Sequence, residues 1–164
     1  MNRILSLGLA ALAALAIAPS TRADEKNAIP AELRAVLEKA DAIELYSLSP
    51  KRGEKVEGQD AFHGWRVLGR TTVKDNGDRT KLVKAFKKGV DDNAGEVAAC
   101  FNPRHGIRVT HDKKTVDFVI CFECLQVAAY VGDKREKGFL ITKTPQKVFD
   151  GVLKAAKVEL AEKE

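Results

Sequence analysis

The stretch "GIRVTHDKKTVDFVIC", residues 106–121, decides the fold. Ile107 and Val109 alternate with Arg108 and Thr110; further on, Val116, Phe118 and Ile120 alternate with Asp117 and, less cleanly, Val119. A period of two marks strands with one buried face. "HDKK" (111–114) between them reads as a tight reversal centred on Asp112-Lys113. That reversal sets Ile107 opposite Phe118, Val109 opposite Val116 and Thr110 opposite Thr115. Arg108 then faces Asp117, a cross-strand ion pair worth at most about 1 kcal/mol if exposed. A slip of one residue would turn the whole apolar set outward, so a single register satisfies the pattern.

Carried outward, the register has a chemical consequence. Arg104 falls opposite Cys121, His105 opposite Ile120, and Cys100 near Cys124 and Leu125, with Pro103 interrupting the ladder. The three cysteines of the chain and one of its three histidines therefore gather at one end of the hairpin.

The flanking sequence supplies the other elements. Residues 24–29 read as a polar lead-in, and 30–40 as a short amphipathic helix with Pro30 at its first turn. "AIELYSL" (42–48) and "HGWRVLGRTTV" (63–73) read as strands, separated by a charged loop over 49–60. Gly64 and Gly69 point to a bulge or a close backbone approach. "KDNGDRT" reads as a turn around Asn76-Gly77, with Asp78 capping a helix whose apolar side is Leu82, Val83, Phe86 and Val90. Arg79, Lys81, Lys84, Lys87 and Lys88 form a solvated basic side there. Without aromatic residues interleaved to stack bases, they predict no nucleic-acid partner. Strands are expected at 97–101, 106–111, 115–121, 125–131 and 138–143. A last helix is expected from Thr144 as cap and Pro145 in its first turn, with Phe149, Val152, Leu153, Ala156 and Leu160 on its apolar side. Consecutive strands with short links predict an α+β fold: an antiparallel sheet of about five to six strands, with helices packed mainly on one face.

The first 23 residues have a different grammar. Arg3 precedes an apolar run from Ile4 to Ala18, and Thr21-Arg22-Ala23 places small residues at the −3 and −1 positions of a cleavage site. Residues 1–23 are expected to be a secretory signal peptide and residues 24–164 a single α+β domain. Pro19 and the charged Asp24-Glu25-Lys26 argue against an uncleaved anchor, and no other apolar run is long enough to span a bilayer. The expected location is exported, periplasmic or secreted, without stable membrane insertion after cleavage. Loss of Arg3 and Arg22 lowers the formal charge of +5 by two. So mild a charge makes no case for long-range steering of an acidic partner.

The cysteine cluster is expected to bind a metal, in a structural or regulatory role, with a disulfide-bearing or thiol-redox domain as the second reading and a plain protein-interaction module as the third. As a metal site, Cys100, His105, Cys121 and Cys124 offer the four ligands a tetrahedral zinc takes, with Arg104 and Glu123 as outer groups that orient them. As a redox site, an exported chain with an odd number of cysteines forms one disulfide and keeps one thiol. Cys121 and Cys124 would lie roughly 10 Å apart in a straight strand, too far to bond, so their bridge needs a turn at Phe122-Glu123. Cys100 to Cys124 is the competing bridge, and Arg104 near Cys121 would favour its thiolate. The strand-like "LQVAAYV" after the C-x-x-C excludes a thioredoxin arrangement. The plainest alternative is three small buried hydrophobes in a module that binds a protein partner. Cysteine catalysis with His105, His63 or His111 as base is the remaining option. With no hydrolase elbow, phosphate loop or paired metal-hydrolase histidines, a binding or structural role is expected ahead of an enzyme.

"ELYSLSP" (44–50), "FHGWRVLG" (62–69), "CFNPRHGIR" (100–108) and "VDFVICFECLQV" (116–127) together resemble a group of small uncharacterised exported bacterial proteins. Their shared pattern is Cys-x2-Pro-x-His followed by an apolar strand ending in Cys-x-x-Cys, matched here by Cys100, Pro103, His105, Cys121 and Cys124. The resemblance spans about residues 42–131 and implies that these blocks form one domain; it implies no reaction, substrate or cofactor.

Overall fold

The computed structural model describes residues 27–51 and 61–162. The leader expected over residues 1–23 and most of the loop expected over 49–60 lie outside them. The described elements run in the order α1 (Ala31–Glu38), β1 (Ala42–Leu48), β2 (Ala61–Phe62), β3 (Trp65–Thr72), α2 (Asn76–Asp91), β4 (His105–His111), β5 (Lys114–Cys121), β6 (Gln126–Val131), β7 (Lys134–Arg135), β8 (Phe139–Leu140) and α3 (Gln146–Ala155).

The hairpin that opened the reading is β4–β5. Its register pairs Ile107 with Phe118, Arg108 with Asp117, Val109 with Val116 and Thr110 with Thr115, as the alternation requires. Asp112 and Lys113 both have positive φ, 46° and 62°. Left-handed backbone at both central residues gives a two-residue turn whose twist matches the strands it joins. Around this hairpin the sheet is antiparallel throughout and ordered β2-β3-β1-β4-β5-β6-β7, with β8 also paired to β6. Strand β1 lies between β3 and β4, so the chain passes from one side of it to the other through α2.

Buried side chains fall into two clusters that follow the period of two. Ile43, Leu45, Ile107, Val109, Val116, Phe118, Ile120, Val127 and Ala129 pack with Leu33, Val36 and Leu37 of α1, Leu82, Phe86 and Val90 of α2, and Phe149 and Leu153 of α3. Tyr46, Leu48, Phe62, Val119 and Ala128 form the second cluster, with Trp65, Val67, Phe101 and Tyr130 against it. The imperfect alternation at Val119 is thereby explained: that residue is fully buried in the second cluster.

Several expectations are corrected. The sheet has eight strands among the described residues, not five to six. Strands β2, β7 and β8 are two residues each, too short to show any periodicity. Residues 97–101 form no strand; Val97 is 57% exposed, and the segment is held through a turn and a side chain rather than a ladder. Asn76-Gly77 begins α2 instead of turning before it, and the cap is Asp75, whose side chain accepts from the Asp78 N–H at 2.8 Å. An aspartate just before the first turn satisfies a donor that the helix leaves open. Thr144 does not cap α3, which follows Pro145 directly without a side-chain cap bond and ends at Ala155. Within the lead-in, Asn27 donates to the carbonyls of Val90 and Leu140 and accepts from the Leu140 N–H, and residues 24–26 lie outside the described residues. The glycine signal holds, since the β1–β3 register shifts between Ser47 and Leu48, opposite Gly69 and Val67.

Phe118 joins α2 to the sheet, its ring 5.2 Å from that of Phe86 and 5.9 Å from that of Phe139. Phe118→Ala leaves a cavity at the centre of the larger cluster and is expected to cost about 3–5 kcal/mol, read as a lower urea midpoint at unchanged m-value.

Candidate functional site

Strand β5 ends at Cys121, and β6 begins at Gln126, its direct partner. The intervening Phe122-Glu123-Cys124-Leu125 forms the turn, closed by Leu125 in the left-handed region at φ 58°. The turn draws the Cα atoms of Cys121 and Cys124 to 5.1 Å, and the two residues form a disulfide. The required reversal at Phe122-Glu123 is therefore present, and an extended strand would have forbidden the bond.

Cys100 arrives from the irregular segment before β4. Its position is set by backbone bonds: the Ala98 N–H donates to the Cys124 carbonyl (3.1 Å), and the Gln126 side chain donates to the carbonyls of Ala98 (2.7 Å) and Cys100 (2.9 Å). Cys100 Sγ lies 2.9 Å from Cys124 Sγ, and the three sulfurs all lie within 4.8 Å of one another. Cys100 is exposed and not in a bridge, whereas Cys121 and Cys124 are 1% and 0% exposed. Both bridge sulfurs face amide donors. The Asn102 N–H points at Cys124 Sγ (3.2 Å) and the Cys124 N–H at Cys121 Sγ (3.1 Å). Cys121 Sγ also lies 3.3 Å from the Asn102 carbonyl oxygen. Amide donors at a sulfur favour its thiolate over its thiol.

The other predicted residues are placed as follows. His105 is buried, with Nε2 2.8 Å from Asp150 Oδ1 and its ring edge-on to Phe122 and Phe149; the group of sulfurs that could share an ion contains Cys100, Cys121 and Cys124. Arg104 donates through Nη1 to Glu123 Oε2 at 2.6 Å and through Nε to the Glu162 carbonyl. The two expected outer groups thus pair with each other beside the turn, and the Arg104 charge is met by a carboxylate. The sequence reading missed Asn102, Gln126 and Asp150. The first two act through backbone atoms or on backbone carbonyls, which leave no trace in residue type, and Asp150 is 45 positions from His105.

The remaining histidines also meet aspartates. His111 Nδ1 is 3.0 Å from Asp41 Oδ2 at an exposed turn. His63 Nε2 is 2.7 Å from Asp117 Oδ2, and its ring stacks on Tyr130 at 3.8 Å. His63 and Gly64 both have positive φ and form the two-residue turn between β2 and β3. Asp117 also accepts both arms of Arg108, from Nε (2.8 Å) and Nη2 (2.7 Å). Burial on its own would raise the Asp117 carboxyl; the hydrogen bonds from Arg108 and His63 outweigh it and hold the group below its ordinary value of 3.8. Burial, followed by the hydrogen bond to Glu44, pushes the neighbouring Tyr46 phenol up to about 12.

A carboxyl lowered by folding contributes stability above its unfolded value, and that contribution is lost as pH falls through the lower folded value. Asp117→Asn should cost about 2–3 kcal/mol at neutral pH, less than the ~3–5 of a fully buried pair because the Arg108 side chain is 39% exposed. The gap between the two proteins should narrow as the pH is taken below 3.8, as denaturant midpoints across the acid range would show.

No family model, curated protein or solved structure matches this chain.

Proposed function

We propose that this is an exported thiol–disulfide exchange domain whose centre is the Cys121–Cys124 bridge with Cys100 beside it. The observation that carries the reading is the 2.9 Å approach of the free Cys100 Sγ to Cys124 Sγ. Exchange proceeds by attack of a thiolate on a disulfide sulfur, and a third sulfur already against the bridge is the arrangement that step needs. The amide donors on both bridge sulfurs support the reading, since each stabilises the thiolate released when the bridge opens. Export, read from residues 1–23, goes with it, because disulfides persist in oxidising compartments. No helix among the described residues is long and apolar enough to cross a membrane.

The scaffold fits a rigid support. We take the helices as covering one side of the sheet; what favours this is that the buried apolar side chains of α1, α2 and α3 belong to the larger cluster. The second cluster would then lie on the other side and is the place to look for a protein partner.

Metal binding is the second reading, favoured by three sulfurs within 4.8 Å of one another. It requires the bridge to be reduced, because only thiolates ligate zinc. The two readings therefore belong to different oxidation states of the same residues.

One titration separates them. The chain is equilibrated in buffers of varied reduced-to-oxidised glutathione ratio, blocked with N-ethylmaleimide and weighed intact. The exchange reading expects the bridged form to rise and fall with the ratio, carrying one blocked thiol when oxidised and three when reduced. A bridge that ignores the ratio makes the disulfide purely structural. Zinc added to the reduced and oxidised forms tests the second reading: one equivalent retained by the reduced form alone supports it, and none retained by either removes it.

A further inference from the structure

The sulfurs of this site are unequal in access, and the inequality assigns an order to them. We propose that Cys100 is the entry sulfur of a three-cysteine relay that exchanges disulfides with external thiols and disulfides through the sequence Cys100, Cys124, Cys121; this rests on the exchange reading above. Cys121 and Cys124 are buried, so an external sulfur cannot reach the bridge directly, while Cys100 is exposed and touches Cys124. Cys124 is the middle member because it is bonded to Cys121 and its sulfur lies 2.9 Å from that of Cys100.

Each step is one thiolate attack. In the oxidising direction the Cys100 thiolate attacks a substrate disulfide R–S–S–R′, forming a mixed disulfide and releasing R′S⁻. The Cys124 thiolate attacks Cys100 Sγ, forming Cys100–Cys124 and releasing RS⁻. The Cys121 thiolate attacks Cys124 Sγ, forming Cys121–Cys124 and returning the Cys100 thiolate. One disulfide is broken in the substrate and one is made in the protein. Two electrons pass to the substrate, and the two thiol protons end on RSH and R′SH. Run backwards, an external thiol reduces the bridge by the same route. The Cys124 N–H stabilises Cys121 as leaving group in the first internal step of that direction, and the Asn102 N–H stabilises Cys124 in the next. The outer substrate class is a disulfide or thiol that can approach an exposed cysteine.

The test uses oxidised glutathione as the outer disulfide. The reduced chain is mixed with it, blocked with N-ethylmaleimide at timed intervals, and its bridges are mapped by peptide mass. Wild type should pass through glutathionyl-Cys100 and Cys100–Cys124 before Cys121–Cys124 accumulates. Cys100→Ser, at an exposed position, should slow closure of Cys121–Cys124 at least about tenfold, because the buried pair then lacks an accessible nucleophile. Cys121→Ser should stop at Cys100–Cys124; Cys121→Ala gives the same readout if the serine is not tolerated in the buried site. Closure in Cys100→Ser at the wild-type rate overturns the relay while leaving exchange at the bridge intact. Glutathione that stays on Cys100 in both Cys121 variants also overturns it. If the wild-type chain never closes the bridge, the exchange reading fails and takes the relay with it.

Discussion

The register of β4 against β5 is the constraint on which the rest of the structure depends. It is set twice. The left-handed turn at Asp112 and Lys113 fixes the count of residues between the strands, and the apolar alternation fixes which side each residue faces. Asp117 locks the result. Its carboxylate takes both arms of Arg108 across the ladder and the His63 ring from the β2–β3 turn, so two strands and one turn meet at a single buried charge. A charge with so little exposure is tolerable only because its lone pairs are filled, and filling them requires β4, β5 and the β2–β3 turn to be in place together.

From that register the chemistry follows by geometry alone. Extending the hairpin past His105 and Ile120 leaves the chain before β4 alongside the turn after β5. Cys100 and Cys124 are 24 positions apart, yet their sulfurs touch. This was legible in the sequence because β4 and β5 are adjacent in the chain, are long enough to alternate and are joined by a short turn. The bridge was half legible: a C-x-x-C at a strand end is compatible with a turn or with a continuing strand, and only the left-handed Leu125 and the Cys121–Gln126 pairing decide it. The place of β1 between β3 and β4 was not legible, since the β1–β4 pairing joins residues as far apart as Ala42 and Thr110 and carries no local signature. The two-residue strands were invisible for the opposite reason, being too short to contain a period.

The histidines show how residue type can mislead where geometry does not. Each of the three could be counted as a base or a ligand from its neighbours in sequence. In the fold each meets an aspartate: Asp117, Asp150 or Asp41. For His105 the partner sits on α3, so a residue on β4 is tied to the last described helix, against two phenylalanine rings that also contact each other. That contact anchors the β4 end of the sheet next to the cysteines. His105 thus bears on the site through position, whatever else it does there.

Beside the bridge itself, hydrogen bonds of the backbone and of one side-chain amide keep the three cysteines together. Ala98 is held by the Cys124 carbonyl, Gln126 holds the carbonyls of Ala98 and Cys100, and the Ile141 N–H donates to the Leu125 carbonyl from the far side of the turn. None of these bonds involves a thiol. The bridge is one covalent link across four residues, and the ladder of β5 with β6 and the backbone clamps are made of other bonds. The same clamps explain why the segment before β4 needs no strand of its own. Its donors and acceptors are met by a turn and a glutamine side chain, which leaves Cys100 at the surface while its sulfur still touches the buried pair.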